Sequence, residues 1–164
     1  MTSKADTPLL AYLGLGSNLG DREANLLDAL RRLEIHGIRV VAVSRFFETP
    51  PAYVLDQPDF INACAAVEAS CSPHDLLKIL LQIEVAMGRV RLIDKGPRVI
   101  DLDILLFGDV ILASEDLTIP HPAMLERLFV LEPLCEIAME VFHPVENTTI
   151  GELLDELRAV ESSD

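Results

Sequence analysis

Two aspartates one residue apart, Asp101 and Asp103, interrupt an otherwise apolar run from Val99 to Phe107. Side chains alternate along a strand, so both carboxylates project to one side, about 7 Å apart along the backbone. Leu102, Ile104 and Leu106 then turn the other way, into a core. Neighbouring carboxylates repel, and at a half-buried position one of them tends to protonate. A divalent cation relieves that conflict. All-oxygen donors favour Mg²⁺, which is held by one or two carboxylates together with substrate phosphates. The stretch from Glu84 to Asp103 also carries Arg89, Arg91, Lys95 and Arg98, more than twice the share of basic residues that even spreading would place there. Arginines ahead of a paired-carboxylate strand suit metal-assisted phosphoryl transfer. The plain alternative is a solvated loop followed by two aspartates on an exposed sheet face.

A second alternation concerns binding. In the run Phe60 to Ala69, Phe60 and Asn62 share one face, opposite Ile61, Ala63 and Val67. An aromatic beside an amide can stack on a flat heterocycle and hydrogen-bond its edge, although a strand-start Phe is more often core. Cys64 falls on the same face with no His or basic residue to mark it as a nucleophile. His121 lies in a rigid Ile-Pro-His-Pro loop, where it either meets a ligand phosphate or caps a turn. His36, His74 and His143 read as exposed helix-end or loop residues. Gly14-Leu-Gly16-Ser-Asn-Leu-Gly20 misses the dinucleotide-binding spacing by one place and lacks its acidic partner. It reads instead as a tight turn whose Asn18 or Asp21 caps a helix.

These residues must be positioned by a chain of 164 residues, half of them apolar, about the size of one ordinary domain. The formal charge of −14 argues against nucleic-acid or anionic-membrane partners. Three cysteines without a CxxC, no charged leader before an apolar segment and no bilayer-length apolar run point to a reduced, cytoplasmic protein with mostly buried thiols. Residues 1–8 read as a loose tail. A strand over Leu9–Leu15 precedes a helix from Asp21 whose apolar face is Leu26, Leu27, Leu30 and Leu33. Arg39–Phe47 reads as a strand stopped by Thr49-Pro50-Pro51, and Phe60–Ala69 as the next. Ser72, Pro73 and Asp75 start the following helix, with Leu76, Leu77, Leu80, Ile83 and Met87 inward and Gly88 as its stop. After the Asp101 strand come a short turn-and-strand segment to Ile119, a helix near Glu126–Ile137 and another from a Thr149 capping box. This order is α+β: a ferredoxin-like split βαβ, mostly antiparallel, with helices on one face and a C-terminal strand/helix extension, forming a single domain over residues 9–160.

Taken together, LGLGSNLGD, FFETPPAYVLDQPDFINA, IEVAMGRVR, KGPRVIDLDILLFG and IPHPAMLERLFVLEPL make the chain resemble the 6-hydroxymethyl-7,8-dihydropterin pyrophosphokinases of folate biosynthesis over almost its whole length. The resemblance implies transfer of the diphosphoryl group of ATP to the pterin hydroxymethyl, with release of AMP. It implies two Mg²⁺ ions on Asp101 and Asp103, with Asp101 able to double as the base. Arg89 and Arg98 would neutralise the transferring group, Arg91 would assist, and Glu84, Ile104 and His121 would lie around ATP. Phe60 and Phe129 would sandwich the pterin, Asn62 and the backbone at Thr49, Pro50 and Ala52 would read its edge, and Arg127 would sit near the product phosphates. The partners implied are these two small molecules, bound by a monomer. Departures from the family are Leu81, Asp116 and Pro122 around the nucleotide, and a loop between Arg91 and Gly96 that is one residue short and lacks a Trp. Two rival readings are another Asp-x-Asp metal-dependent transferase and a non-catalytic ferredoxin-like binding module. Neither explains Phe60 and Asn62.

Overall fold

A computed structural model describes residues 9–50, 56–88 and 97–162. The expected tail, and with it Ala52, Arg89, Arg91 and Lys95, lie outside the described residues. Strand β1 (Leu9–Ser17) is followed by helix α1 (Arg22–Ile35), β2 (Arg39–Val43), β3 (Phe47–Thr49) and β4 (Phe60–Ala69). Then come α2 (Pro73–Ala86), β5 (Asp101–Phe107), a small hairpin of β6 (Leu112–Ala113) and β7 (Thr118–Ile119), a 3₁₀ turn at Met124–Glu126, α3 (Leu128–Ala138) and α4 (Ile150–Ser162). The main sheet runs β2-β4-β1-β5 with every pairing antiparallel, and β3 adds to β4 beyond the end of β2. Placing β4 between β1 and β2 is the split βαβ arrangement expected from the element order.

Local chemistry starts the helices where the sequence places them. Asp21 accepts the Ala24 N–H at 3.1 Å and caps α1. Ser72 Oγ accepts the Asp75 N–H at 3.1 Å, with Pro73 at the first helical position of α2. Thr149 Oγ1 accepts the Glu152 N–H at 3.2 Å at α4. Each such cap contributes about 1 kcal/mol. Gly88 ends α2 with φ +89°, a conformation that strains any side chain.

Where the structure departs from expectation, a tertiary partner is the reason. The helical stripe of α1 is Leu26, Ala29 and Leu33, while Leu27 is exposed to solvent. Arg39–Phe47 is not one strand, because Ser44 breaks it: its hydroxyl accepts the Cys64 N–H at 2.9 Å where a ladder carbonyl would otherwise serve. Helices cover both sheet faces. Leu13, Leu15, Ala63, Val67, Leu102 and Ile104 pack with the α1 and α2 stripes, whereas Tyr12, Cys64, Ala66, Leu131, Leu134 and Leu153 form a second core under α3 and α4. Leu106 belongs to this second core and not beside Ile104. The β1–β5 register jumps from Tyr12↔Leu106 to Leu13↔Ile104, so Leu105 is an extra residue that reverses the alternation beyond it. His143 is also buried, not exposed: its Nδ1 accepts the backbone N–H groups of Val145 and Glu146 at 3.2 and 3.0 Å, and burial lowers its pKa.

Candidate active site

The second core covers only part of its sheet face. Beyond it, toward the end of β1 and the starts of β4 and β5, lies a cleft of about 440 Å³. Its floor is Gly14 and Gly16 of β1, two glycines on one strand face. A methyl group on Gly16 would lie 2.9 Å from Asn62 Oδ1, so only glycine lets that amide lie flat across the central strand. Both glycines are therefore strand residues and not part of the turn, which spans the residues up to Asp21. The signal for this was their i, i+2 spacing, which puts both on the same face.

One end of the cleft is aromatic and neutral. Phe60 and Asn62 project from β4 as alternation requires, and Thr49 and Pro50 close the side at the end of β3. Asn62 Nδ2 donates to Thr49 Oγ1 at 2.6 Å, which fixes the amide with its oxygen over Gly16. Phe129, in the first turn of α3, lines the cleft with the Arg127 guanidinium 5.5 Å from its ring centroid. Cys64 also lines the cleft, but burial pushes its thiol well above the ordinary range, and its S–H donates to the Val130 carbonyl. It is a packing residue and not a nucleophile.

The other end is charged. Asp101 and Asp103 both face the cleft, two strand positions from the Asn62 side of the sheet, since β1 lies between β4 and β5. Burial, then the charges of Asp101 and Glu84, push Asp103 up to about 7, against the pull of Arg127 and Arg98. Among the described residues no three His, Cys, Asp or Glu side chains gather around a common point. Two carboxylates in a crowded negative pocket fit Mg²⁺ completed by ligand phosphates and water, and do not fit a caged structural ion. Arg98 Nη1 donates to Asp101 Oδ2 at 2.9 Å. Glu84 is buried near the C-terminal end of α2, and its Oε2 accepts the Leu102 N–H at 2.8 Å, which pins β5 between its two aspartates. Leu77 and Leu81 of α2 complete this end.

His121 closes a turn, and it also lines the cleft. Its Nδ1 accepts the Ala123 N–H at 3.2 Å, closing a turn, while its N–H ties it to the Leu105 carbonyl of β5 at 3.0 Å. Burial, then Arg127, lower its pKa, so the ring is neutral with its proton on Nε2, a donor at the cleft wall. Ile104 is the one described candidate that the structure turns away: its side chain is in the α1/α2 core, as alternation from Asp103 demands. Asp116 pairs with His74 Nε2 at 3.1 Å and Ser114 Oγ at 3.2 Å, and does not line the cleft.

The cleft thus joins an aromatic, amide-edged pocket to a carboxylate pair with an arginine beside it. Residues 12–139 match the family model described as 7,8-dihydro-6-hydroxymethylpterin-pyrophosphokinase. The chain belongs to this family. It is 46% identical to the 2-amino-4-hydroxy-6-hydroxymethyldihydropteridine pyrophosphokinase of Methylorubrum extorquens over 90% of this chain and 92% of that one. The Bacillus subtilis enzyme of the same name is 46% identical over 80% of each. The folic acid synthesis protein fol1 of Pneumocystis carinii is 47% identical over 89% of this chain, which spans only about a fifth of that longer protein. A Plasmodium falciparum HPPK-DHPS structure with pteroate shares the fold at TM-score 0.77 and 16% identity, over 98% of this chain and 45% of that one.

Proposed function

We propose that residues 9–160 form one pyrophosphokinase domain that transfers the diphosphoryl group of ATP to the hydroxymethyl of 6-hydroxymethyl-7,8-dihydropterin, in folate biosynthesis. The observation that carries this reading is that one cleft has an aromatic and amide wall at β4 and a carboxylate pair at β5, on the two strands that flank β1. Phe60 and Phe129 would hold the flat ring, and Asn62, oriented by Thr49, would accept from its edge N–H groups. Asp101 and Asp103 would hold Mg²⁺, which would neutralise and align the ATP phosphates.

The hydroxymethyl oxygen attacks the β-phosphorus. The bond from that phosphorus to the bridging oxygen of the α-phosphate breaks, AMP leaves, and the hydroxyl proton passes to Asp101 or to water. Such a reaction asks for alignment and charge neutralisation more than for a strong base. Arg98, beside Asp101, supplies positive charge at the transferring group, and Arg89 and Arg91 would add to it. Neutral His121 donates through Nε2, and Arg127 lies between the aromatic wall and the carboxylates, within electrostatic reach of Asp103. Among the described residues no helix is long and apolar enough to cross a membrane, and free Cys64, Cys71 and Cys135 suit a reducing compartment such as the cytoplasm. Every described group that the proposed reaction uses comes from one chain, so a monomer would suffice for it.

Incubating the protein with ATP, Mg²⁺ and the pterin, and omitting each in turn, tests the assignment. AMP formed only when all three are present is the expected result. Pterin-independent nucleotide turnover would favour another metal-dependent transferase, and binding without turnover would favour a binding module.

A further inference from the structure

α3 carries a buried proline, Pro133, in its interior. It lies past the first turn, the one place where a helix accepts proline without loss. Two consequences fall on a single residue, four positions back. In a regular helix the Phe129 carbonyl would accept the N–H at position 133, and proline has none to give. The pyrrolidine ring would also strike that same carbonyl if the helix ran straight, so the turn carrying Phe129 is set off from the rest of α3. Leu131, Leu134 and Ala138 stay in the second core. The turn ahead of them is fastened separately. The Arg127 carbonyl accepts the N–H groups of Val130 and Leu131, both at 3.0 Å, and the Val130 carbonyl accepts the Cys64 S–H at 3.7 Å.

Phe129 lines both the cleft and a second hollow of about 380 Å³ between β3 and the start of α3, which Phe47, Thr49, Leu128 and Pro133 also line. Among the described residues, then, Phe129 is not wedged on every side, and a side chain bordered by open space is placed by the path of its backbone more than by packing. We propose that Pro133 is a positioning residue for the pterin: by withholding a donor from the Phe129 carbonyl and offsetting its turn, it sets the stance of the Phe129 ring in the cleft, and with it the affinity for a flat heterocycle. The proposal rests on the functional reading above. A helix with an N–H at 133 would draw the Phe129 carbonyl back into the ladder and turn the ring from its place. Asp101 and Asp103, on β5, would stay where they are.

Calorimetry of the full chain tests this, with the pterin titrated into protein saturated with a non-hydrolysable ATP analogue and Mg²⁺, and the analogue titrated alone. Pro133→Ala restores the N–H, and Pro133→Val restores it at nearly the volume of proline, which separates the closed ladder from a hole in the core. Both should weaken pterin binding about fivefold or more and change analogue affinity by less than about twofold. In a Phe129→Ala background, Pro133→Ala should alter pterin affinity by less than about twofold, because the ring it acts through is gone. Unchanged pterin affinity in both variants overturns the proposal, as does a loss that persists in full without the Phe129 ring, or one shared equally by the analogue. If Pro133→Ala does not fold, Pro133→Val carries both comparisons; if neither folds, Pro133 serves the fold and not the pterin, and the proposal fails. A wild type that binds the analogue but no pterin overturns the functional reading and this inference with it.

Discussion

The two ends of the cleft are built on opposite principles. At the β3–β4 end the groups are neutral and already satisfied: Asn62 is held by Thr49 at 2.6 Å, and glycine at position 16 leaves room for it. For the flat ring of the proposed function, the described groups at that end would be set in place in advance. At the β5 end like charges are crowded, with Asp103 raised to about 7 by burial and by Asp101 and Glu84, and Arg98 drawn onto Asp101. A bound cation and phosphates, as proposed, would relieve that repulsion. Under the proposed function, the contrast would separate recognition from chemistry: one end would select by shape and hydrogen bonding, the other by the charge a ligand brings.

Substitutions at the charged end should have the largest effect. Asp101→Ala or Asp103→Ala should lower turnover by about 10²–10³-fold or more, while pterin affinity without nucleotide stays within about threefold by calorimetry. A comparable loss at both ends would break the separation. Next in size are changes at the neutral end. Phe129→Ala or Asn62→Ala should weaken pterin binding by roughly tenfold to a hundredfold, about 1.4–2.8 kcal/mol, and leave Mn²⁺ binding, followed by electron paramagnetic resonance, unchanged.

Gly16→Ala sharpens the account of that end. It should raise the KM for pterin several-fold with kcat little changed, because the new methyl displaces Asn62 Oδ1 from 2.9 Å. In an Asn62→Ala background the same substitution should cost almost nothing; additive losses would mean that Gly16 serves the ring directly and not through Asn62.

The smallest effect is a dependence on pH. Asp103 has a folded pKa near 7 against an ordinary carboxylate value near 4, so the folded protein holds an extra proton between these limits. Stability of the metal-free protein should therefore fall as pH rises from about 4 to about 7 and level off above, in denaturant titrations. Asp103→Asn should flatten that slope and make the metal-free protein more stable above pH 7 although it is inactive. Cation binding should strengthen over the same range, since the site must lose its proton.

What could be read from the chain alone was whatever depends on local periodicity. Alternation put Asp101 with Asp103 and Phe60 with Asn62, and the caps at Asp21, Ser72 and Thr149 act where their side chains predict. The remaining features are set by partners distant in sequence. The extra residue Leu105 is defined by its register against Tyr12 and Leu13, and with it goes the reversal of Leu106. The break at Ser44 depends on Cys64, and the burial of His143 on the loop that folds over it. Asn18 reads locally as a helix cap, yet Asp21 does that work, and the Asn18 amide serves residues 39 to 80 positions away. Of the arginines expected around the phosphates, Arg98 and Arg127 are the ones among the described residues, and both line the cleft, Arg98 paired with Asp101 and Arg127 over the Phe129 ring.

The most direct test of the account is which bond of ATP breaks. Phosphorus NMR of the reaction with pterin and Mg²⁺ should show AMP and a pterin diphosphate appearing together, in equal amounts, with no ADP. ADP accompanied by a pterin monophosphate would contradict the assignment of the carboxylate pair to diphosphoryl transfer.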